Sequence, residues 1–308
     1  MQSLRSISFH SAARGLFDDA AVLEIGGRHL VLTHDMVVEG VHYLPTDPPA
    51  DIAWKLVAVN LSDLAAKGAR PVGLLTGYCL SGDAEWDRAF IGGLAEAATA
   101  FDAPLLGGDT VAVPSGSARV LGLTAIGESN AAPARSGARP GDLLFVTGTI
   151  GDAGAGLAVA RGEREGPALL AERYRRPQPR LAAGQRLAPI VHAMMDVSDG
   201  LLIDAFRMGQ ASKARLLIDL AQVPLSAAYL SMNGADRSAR IYAAQAGDDY
   251  ELLFAAPPSA RDSIEAIAAD LGLPITMIGK VCEGSGLVLQ DDGEDMPLPD
   301  RLGYEHGA

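Results

Sequence analysis

Cysteine is scarce: Cys79 and Cys282 are the two in 308 residues. They lie far apart and have no partner at metal-ligand spacing. A disulfide scaffold and a thiolate zinc site are thereby excluded, and the pair suits structural thiols in a reducing compartment. Long hydrophobic runs are missing too. No apolar stretch approaches the roughly 20 residues of a membrane span. The N-terminal "MQSLRSISFHSAARG" is basic and serine-rich but lacks the apolar centre of a secretory signal. A cytoplasmic protein without a membrane partner is expected. Positive charge is in the minority, with 25 basic against 38 acidic side chains and a net charge of -13. That argues against a nucleic-acid partner held by a basic surface. The usual phosphate-loop signature is also absent, because no Gly-Lys-Ser/Thr occurs. "GTIGDAGAG", residues 148–156, does not fit G-x-G-x-x-G and reads as a strand-to-helix turn.

What is present reads as globular and rich in turns: 48% hydrophobic, 20% charged, with 35 glycines. The length allows two domains with cores of their own. "HLVLTHDMVVEGVHY" reads as a strand, a polar break, then loop or strand. "DIAWKLVAVNLSDLAAKGA" reads as one buried helix with Asp51 as N-cap and Gly68 as its stop. "PVGLLTGYCL" follows as a strand, "DAEWDRAFIGGLAEAATAFD" as an amphipathic helix, "APLLGGDTVAV" as a strand broken by a glycine turn, and "RVLGLTAIGE" as a strand. "SNAAPARSGARPGD" is small, polar and rich in Pro and Gly, which places a division at residues 136/137. Beyond it come a strand in "LLFVTG", a helix in "TIGDAGAGLAVARG", a charged surface segment in "GEREGPALLAERYRRPQPR", and strand, turn and helix in "AMMDVSDGLLIDAFRMGQAS". "RIYAAQAGDDYELLFAAP" and "ITMIGKV" read as strands. Alternating strands and helices in two parts predict an α/β (α+β) architecture, with an N-terminal domain over 1–136 and a C-terminal α/β domain over 137–308.

Aspartates recur where apolar elements meet small residues. They are Asp18 and Asp19 before "AAVLEI", Asp35 closing "VLTHD", Asp63 inside the apolar helix, Asp109 after "PLLGG", Asp196 and Asp199 around Ser198, and Asp248 with Asp249. Strand ends of this kind are where α/β ligand sites form. Taken singly, each has a plainer reading as a turn or cap residue, and Asp63 can pair with Lys67 at the i,i+4 spacing. If they converge, each pair at about 4 Å repels by roughly 4 kcal/mol at an effective dielectric near 20. Cations would offset that. Ligands that are all oxygen select hard ones, chiefly Mg²⁺, which share their remaining positions with water and phosphate. Nucleotide phosphoryl transfer follows as the expected chemistry.

The motifs "DDAAVL", "DMVVEGVH", "VNLSDLAAKGARP", "GGDT", "RSGARPGD", "TGTIGDAGAGL", "RYRRPQPR", "DVSDGL" and "GDDYELLF" occur in the order seen in thiamine-monophosphate kinases. The resemblance runs from about residue 17 to residue 306. The wider superfamily includes aminoimidazole ribonucleotide synthetase, selenophosphate synthetase and a hydrogenase maturation protein. The resemblance implies transfer of the γ-phosphoryl of ATP to thiamine monophosphate by a homodimer that uses several Mg²⁺ ions. An N-terminal domain with a mixed sheet would bind ATP and Mg²⁺ and form the dimer, and a C-terminal domain would complete the site. Carried over by position, Asp18 or Asp19, Thr33, Asp35, Asp63, Asp109, Asp196 and Asp199 would hold metal, with Asp63, Asp109, Asp196 and Asp199 at the reacting centre. Gly108, Asp109, Arg135 and Ser198 would meet ATP, and His42, Asp248 and Tyr304 thiamine monophosphate. The chain departs from the pattern at Phe17, at His34 where threonine is usual, at Val111, at Asp248 where glutamate is usual, and at Tyr304 where tryptophan or phenylalanine is frequent. Another ATP-dependent member of the superfamily, or a Mg-nucleotide-binding protein without turnover, is the alternative.

Overall fold

The computed structural model describes residues 5–80, 82–114 and 116–305. The first four residues of the basic N-terminal stretch lie outside them. A five-stranded sheet is built from β1 (Ala21–Ile25), β2 (Arg28–Val38), β3 (Arg70–Leu80), β4 (Leu105–Ala112) and β5 (Val120–Ser129), in the order β1-β2-β5-β3-β4. Only β3 and β4 run parallel; the other pairs are antiparallel. Helix α1 (Pro49–Ala66) joins β2 to β3, and α2 (Ala84–Ala100) joins β3 to β4. Both pack on one face, where Val31, Val37, Leu74, Leu121 and Leu123 form the core with Leu56, Leu61 and Phe90. The other face carries exposed Met36, Leu75 and Val111.

The second sheet has seven strands. Along the chain come β6 (Leu143–Thr147), α3 (Asp152–Ala160), α4 (Ala168–Arg175), α5 (Leu181–Leu187), β7 (Ala193–Val197), α6 (Leu201–Ser212), β8 (Arg215–Asp219), α7 (Ala227–Asn233), α8 (Arg237–Gln245), β9 (Glu251–Ala256), α9 (Arg261–Leu271), β10 (Ile275–Cys282), β11 (Gly286–Asp291) and β12 (Glu294–Met296). The order is β12-β11-β8-β10-β6-β9-β7. Alternate residues feed two cores. Leu144, Val146, Met195 and Val197 pack with α6 on one face. Phe145, Met194, Leu252 and Phe254 pack with α5 and α9 on the other. That period of two explains why β6, β7 and β9 read as continuous apolar runs. The fold class is the expected one, two mixed sheets with helices.

Helix α1 is apolar nearly all round and buried from Ile52 to Ala66. Its body covers the first sheet, while Ala65 and Ala66 enter the core of the second. Gly68 ends it at φ +57, where an added Cβ would lie 2.3 Å from Ala188 Cβ. Glycine is thus required both for the turn and for the close approach. Asp51 is not the N-cap. Pro48 holds that position, and Asp51 accepts from Arg176 at 2.5 Å.

Four expectations about elements are corrected. Strand β2 is unbroken, because its polar residues Thr33 and Asp35 sit at the alternate positions facing α1, which supplies them with partners. The two glycines before Asp109 are extended and β4 continues through them. "RIYAAQAGDDYELLF" divides into α8 and β9: Asp236 caps α8 by accepting from Ala239 N at 2.8 Å, and Ala239 and Ala243 are buried at helical spacing. The charged segment after residue 162 contains α4, whose Leu170 and Tyr174, four apart, are fully buried.

Candidate active site

Three polar residues near the end of α1 are buried without loss of hydrogen bonding. Asn60 accepts from the backbone N–H of Asp35 at 2.9 Å and donates to Leu56 O at 2.9 Å. Ser62 donates to Asp196 Oδ2, on β7, at 2.6 Å. Asp63 accepts from the Thr33 hydroxyl on β2. Adjacent residues of one helix therefore reach into both sheets.

Carboxylate oxygens of Asp19, Asp63 and Asp196 lie within 4.8 Å of one another. Their compensation is uneven. Both oxygens of Asp19 meet cations, Lys67 Nζ at 2.7 Å and the Arg135 guanidinium. Burial raises the Asp19 pKa, but Lys67 and Arg135 overcome it and hold the group at about 2. Among the described residues, the side-chain donors to Asp63 and Asp196 are hydroxyls, those of Thr33 and Ser62. Burial, then the charges of Asp35 and Asp196, push Asp63 well above the carboxylate range. Burial, then Asp19, do the same to Asp196. Asp35 is raised by burial and by Asp19 and Asp199, against His34. A set of close, desolvated oxygens with too little positive charge fits a hard divalent ion such as Mg²⁺.

The cluster opens onto a cavity of about 870 Å³ between the two sheets, a size suited to a small-molecule ligand. From β2, the turn after it and α1 come Asp35, His42, Lys55 and Asp63; from the other half come Asp196, Ser198, Asp199, Asp248 and Tyr304. Arg135 also lines it, and its buried Nε has no hydrogen-bond partner among the described residues. The turn after β7 is held by Asp204, in the first turn of α6, whose Oδ2 accepts from the N–H groups of Ser198 at 3.1 Å and Asp199 at 3.0 Å. Burial and the Asp199 charge raise Asp204 to about 7, against Arg207 and Arg135. Arg207 donates to Asp199 at 2.5 Å and to Asp204 at 2.9 Å. Across the cavity, Lys55 Nζ donates to Asp248 at 2.8 Å and to His42 O at 2.9 Å, and lies over the Tyr174 ring. Asp248 and Tyr250 both have positive φ, +71 and +50, in the turn that delivers Asp248. Such residues cost on the order of 1 kcal/mol each and collect at functional sites.

Family models match in two consecutive blocks: "AIR synthase related protein, N-terminal domain" over residues 17–129, and the corresponding "C-terminal domain" over 139–292. A thiamine-monophosphate kinase of Caulobacter vibrioides is 40% identical over 305 residues, 96% of this chain and 86% of that one. The chain belongs to the AIR synthase-related family, on its thiamine-monophosphate kinase branch. Solved structures agree. Thiamine-monophosphate kinase from Stenotrophomonas maltophilia superposes with a TM-score of 0.80 at 37% identity, covering 96% of this chain and 95% of that one. The structure described as "AaThiL complexed with AMPPCP and TMP" superposes with a TM-score of 0.86 at 29% identity, covering 99% and 95%.

Within this family fold, the structure gathers Asp19, Asp35, Asp63, Arg135, Asp196, Ser198, Asp199, His42, Asp248 and Tyr304 around one cavity, with Thr33 directly behind Asp63. Two groups of expected residues fall elsewhere. Asp18 is turned away, bonded to Arg14 at 2.7 Å and Lys67 at 2.5 Å. Asp109 is exposed on edge strand β4, and its Oδ1 accepts from Thr110 N at 3.0 Å. Its row across the sheet is Gly77, Gly122 and Met36, on the face away from α1. Gly108 lies three strands from Asp35, roughly 14 Å at the usual strand spacing. His34 is likewise on the outer face, bonded to Thr124 at 2.9 Å, so its departure from the family pattern leaves the carboxylate cluster intact. Lys67 does not pair with Asp63: α1 ends at Ala66, so Lys67 leaves the helical phase and meets Asp18 and Asp19. Sequence reasoning missed Lys55, Asp204 and Arg207, and named Lys67 only as a possible partner of Asp63. A lysine inside "AWKLVAV" was the available signal, since a buried ammonium needs partners.

Proposed function

We propose that this chain transfers the γ-phosphoryl group of ATP to the phosphate of thiamine monophosphate, giving thiamine diphosphate and ADP. The observation that carries the reading is the Asp19–Asp63–Asp196 constellation in the wall of a cavity large enough for a nucleotide's phosphates and a second small molecule. It stands in a chain 40% identical to a thiamine-monophosphate kinase, and the structure with a TM-score of 0.86 is described as holding AMPPCP and TMP. Asp19, Asp63 and Asp196, with Thr33, Asp35 and Asp199 beside them, would hold Mg²⁺. Bound there, Mg²⁺ neutralises charge between two polyanions that must approach each other.

The chain's own residues position and screen. A substrate phosphate is already ionised at neutral pH, so its oxygen attacks the γ-phosphorus with no proton to remove. The new bond forms as the bond to the ADP oxygen breaks. No general base is needed, which fits a cluster built from the carboxylates of Asp19, Asp63 and Asp196. The Arg135 guanidinium, which lines the cavity, meets the ATP phosphates, with Ser198 beside them. His42 and Asp248 contact thiamine monophosphate, and the Tyr304 ring stacks on its heterocycle. The division at 136/137 separates the half that carries Asp35 and Asp63 from the half that carries Asp196 and Asp199.

A cytoplasmic homodimer is part of the proposal. Among the described residues no helix is long and apolar enough to cross a membrane. Exposed Met36, Leu75 and Val111 on the outer face of the first sheet are the surface a second copy would cover, with Asp109 among them. Incubation with ATP, Mg²⁺ and thiamine monophosphate should give equal amounts of thiamine diphosphate and ADP by mass. ADP without thiamine diphosphate would discard the substrate.

A further inference from the structure

Lys67 is fully buried, and its ammonium is enclosed by four oxygens. They are Asp18 Oδ1 at 2.5 Å, Asp19 Oδ2 at 2.7 Å, Met194 O at 3.1 Å and Pro133 O at 3.3 Å. Two carboxylates and two main-chain carbonyls are the ligands of an oxygen-lined cation site. The carbonyls come from the segment leading into the second half and from β7, so the arrangement is built by tertiary structure. Arg14 reinforces it by bonding Asp18 and the carbonyls of Ala132 and Pro133.

We propose that Lys67 is a resident cation: its ammonium permanently fills the rear compartment of the carboxylate cluster, withdraws Asp18 from the metal ligands and fixes the orientation of Asp19 toward Asp63 and Asp196. It is a positioning residue and touches neither substrate. The inference rests on the reading of Asp19, Asp63 and Asp196 as the metal site. The cluster then has two zones. Asp18 and Asp19 are neutralised by Lys67, Arg14 and Arg135. Asp63 and Asp196, whose side-chain donors among the described residues are Thr33 and Ser62, are left for exchangeable ions. A lysine in this place lowers by one the number of free cations the site needs.

The test is a Mn²⁺ titration followed by electron paramagnetic resonance on the full chain without nucleotide, with thermal melts in chloride salts of equal ionic strength. Wild type is the reference, and absence of Mn²⁺ binding there would overturn the metal reading, not the role of Lys67. Lys67→Ala should bind one additional Mn²⁺ per chain in tetramethylammonium chloride. Its melting temperature should be lowered by several degrees in that salt and recovered in potassium or ammonium chloride, whose cations are small enough to enter the compartment. An unchanged Mn²⁺ count with the same thermal loss in every salt would overturn the proposal. If Lys67→Ala does not fold, Asp18→Asn decides. An unchanged Mn²⁺ count supports the withdrawal of Asp18 from the metal set, and loss of one ion refutes it.

Discussion

Asp63→Asn separates a metal ligand from a structural carboxylate by the sign of two effects. Asparagine keeps the size and can still accept from Thr33, so packing in α1 is preserved. What disappears is one buried charge. Carboxylates within 4.8 Å repel by about 3.5 kcal/mol per pair at an effective dielectric near 20. Asp196 is such a neighbour, and among the described residues no basic side chain forms an ion pair with Asp63 or Asp196. Without metal, the substitution should therefore stabilise the protein, by about 1–3 kcal/mol once partial protonation of wild type is allowed for. At about 2–4 °C per kcal/mol, the melting temperature should rise by several degrees. The gap should widen with pH. Asp63 has its folded pKa raised, so its favourable protonated form is lost as pH rises through that value, and wild type weakens while Asp63→Asn does not. Turnover should move the other way, falling at least tenfold, and stabilisation by added Mg²⁺ should shrink. Melts from pH 6 to 8 with and without MgCl₂, beside single-turnover kinetics, read both. A variant that is less stable without metal and equally active with it would refute the reasoning.

Other perturbations test the surrounding wall. Tyr304→Ala should raise KM for thiamine monophosphate at least fivefold and leave KM for ATP within twofold; equal effects would reduce Tyr304 to packing. Arg135→Gln should raise KM for ATP about tenfold and also shift the pH dependence of metal binding, because Asp19 loses one of the two cations that hold its pKa at about 2. Asp204→Asn removes a group that is protonated below about 7 in the folded protein and below about 4 when unfolded, so the loss of stability from pH 4 to 7 should be shallower by about one proton. Identical slopes in urea unfolding at three pH values would exclude that role. Leu75→Lys, on the outer face of the first sheet, should lower the sedimenting mass toward that of a single chain if that face is the dimer contact.

Legibility followed the range of the interactions. Helix α1 was readable because its apolar residues, first-turn acid and terminal glycine are local signals, and the carboxylates stood out because each interrupted an apolar element. The unbroken course of β2 was not readable: Thr33 and Asp35 look like a break until Asp63 and Asn60, 30 and 25 positions away, are seen to satisfy them. The fate of Asp109 was hidden by the pleat, since one step along β4 exchanges the site's face for the outer one. The plainer reading of Asp63, an ion pair with Lys67, fails because helical spacing does not continue past Ala66. The partner of Lys55, Asp248 at 193 positions, is brought by tertiary packing, whereas Asp204 bonds the turn only five and six residues before it and looks like an ordinary first-turn acid of a helix.

Ser62 and Asp63 are consecutive, and they grip opposite sheets through single hydrogen bonds. A gear tooth shared by two wheels has the same property: neither wheel can slip without the tooth losing both. The alignment of the two halves is therefore registered at the metal cluster itself, to within the length of a hydrogen bond, and not at a distant hinge. Sliding one half along α1 by a single residue would dismantle the cluster before it opened the cavity. Ligand entry is then expected at the rim formed by the 248–250 turn and the Tyr304 segment, which line the cavity. A cross-link between the two halves near Ala65 and Ala188 should accordingly leave turnover intact, whereas one across the rim should abolish it.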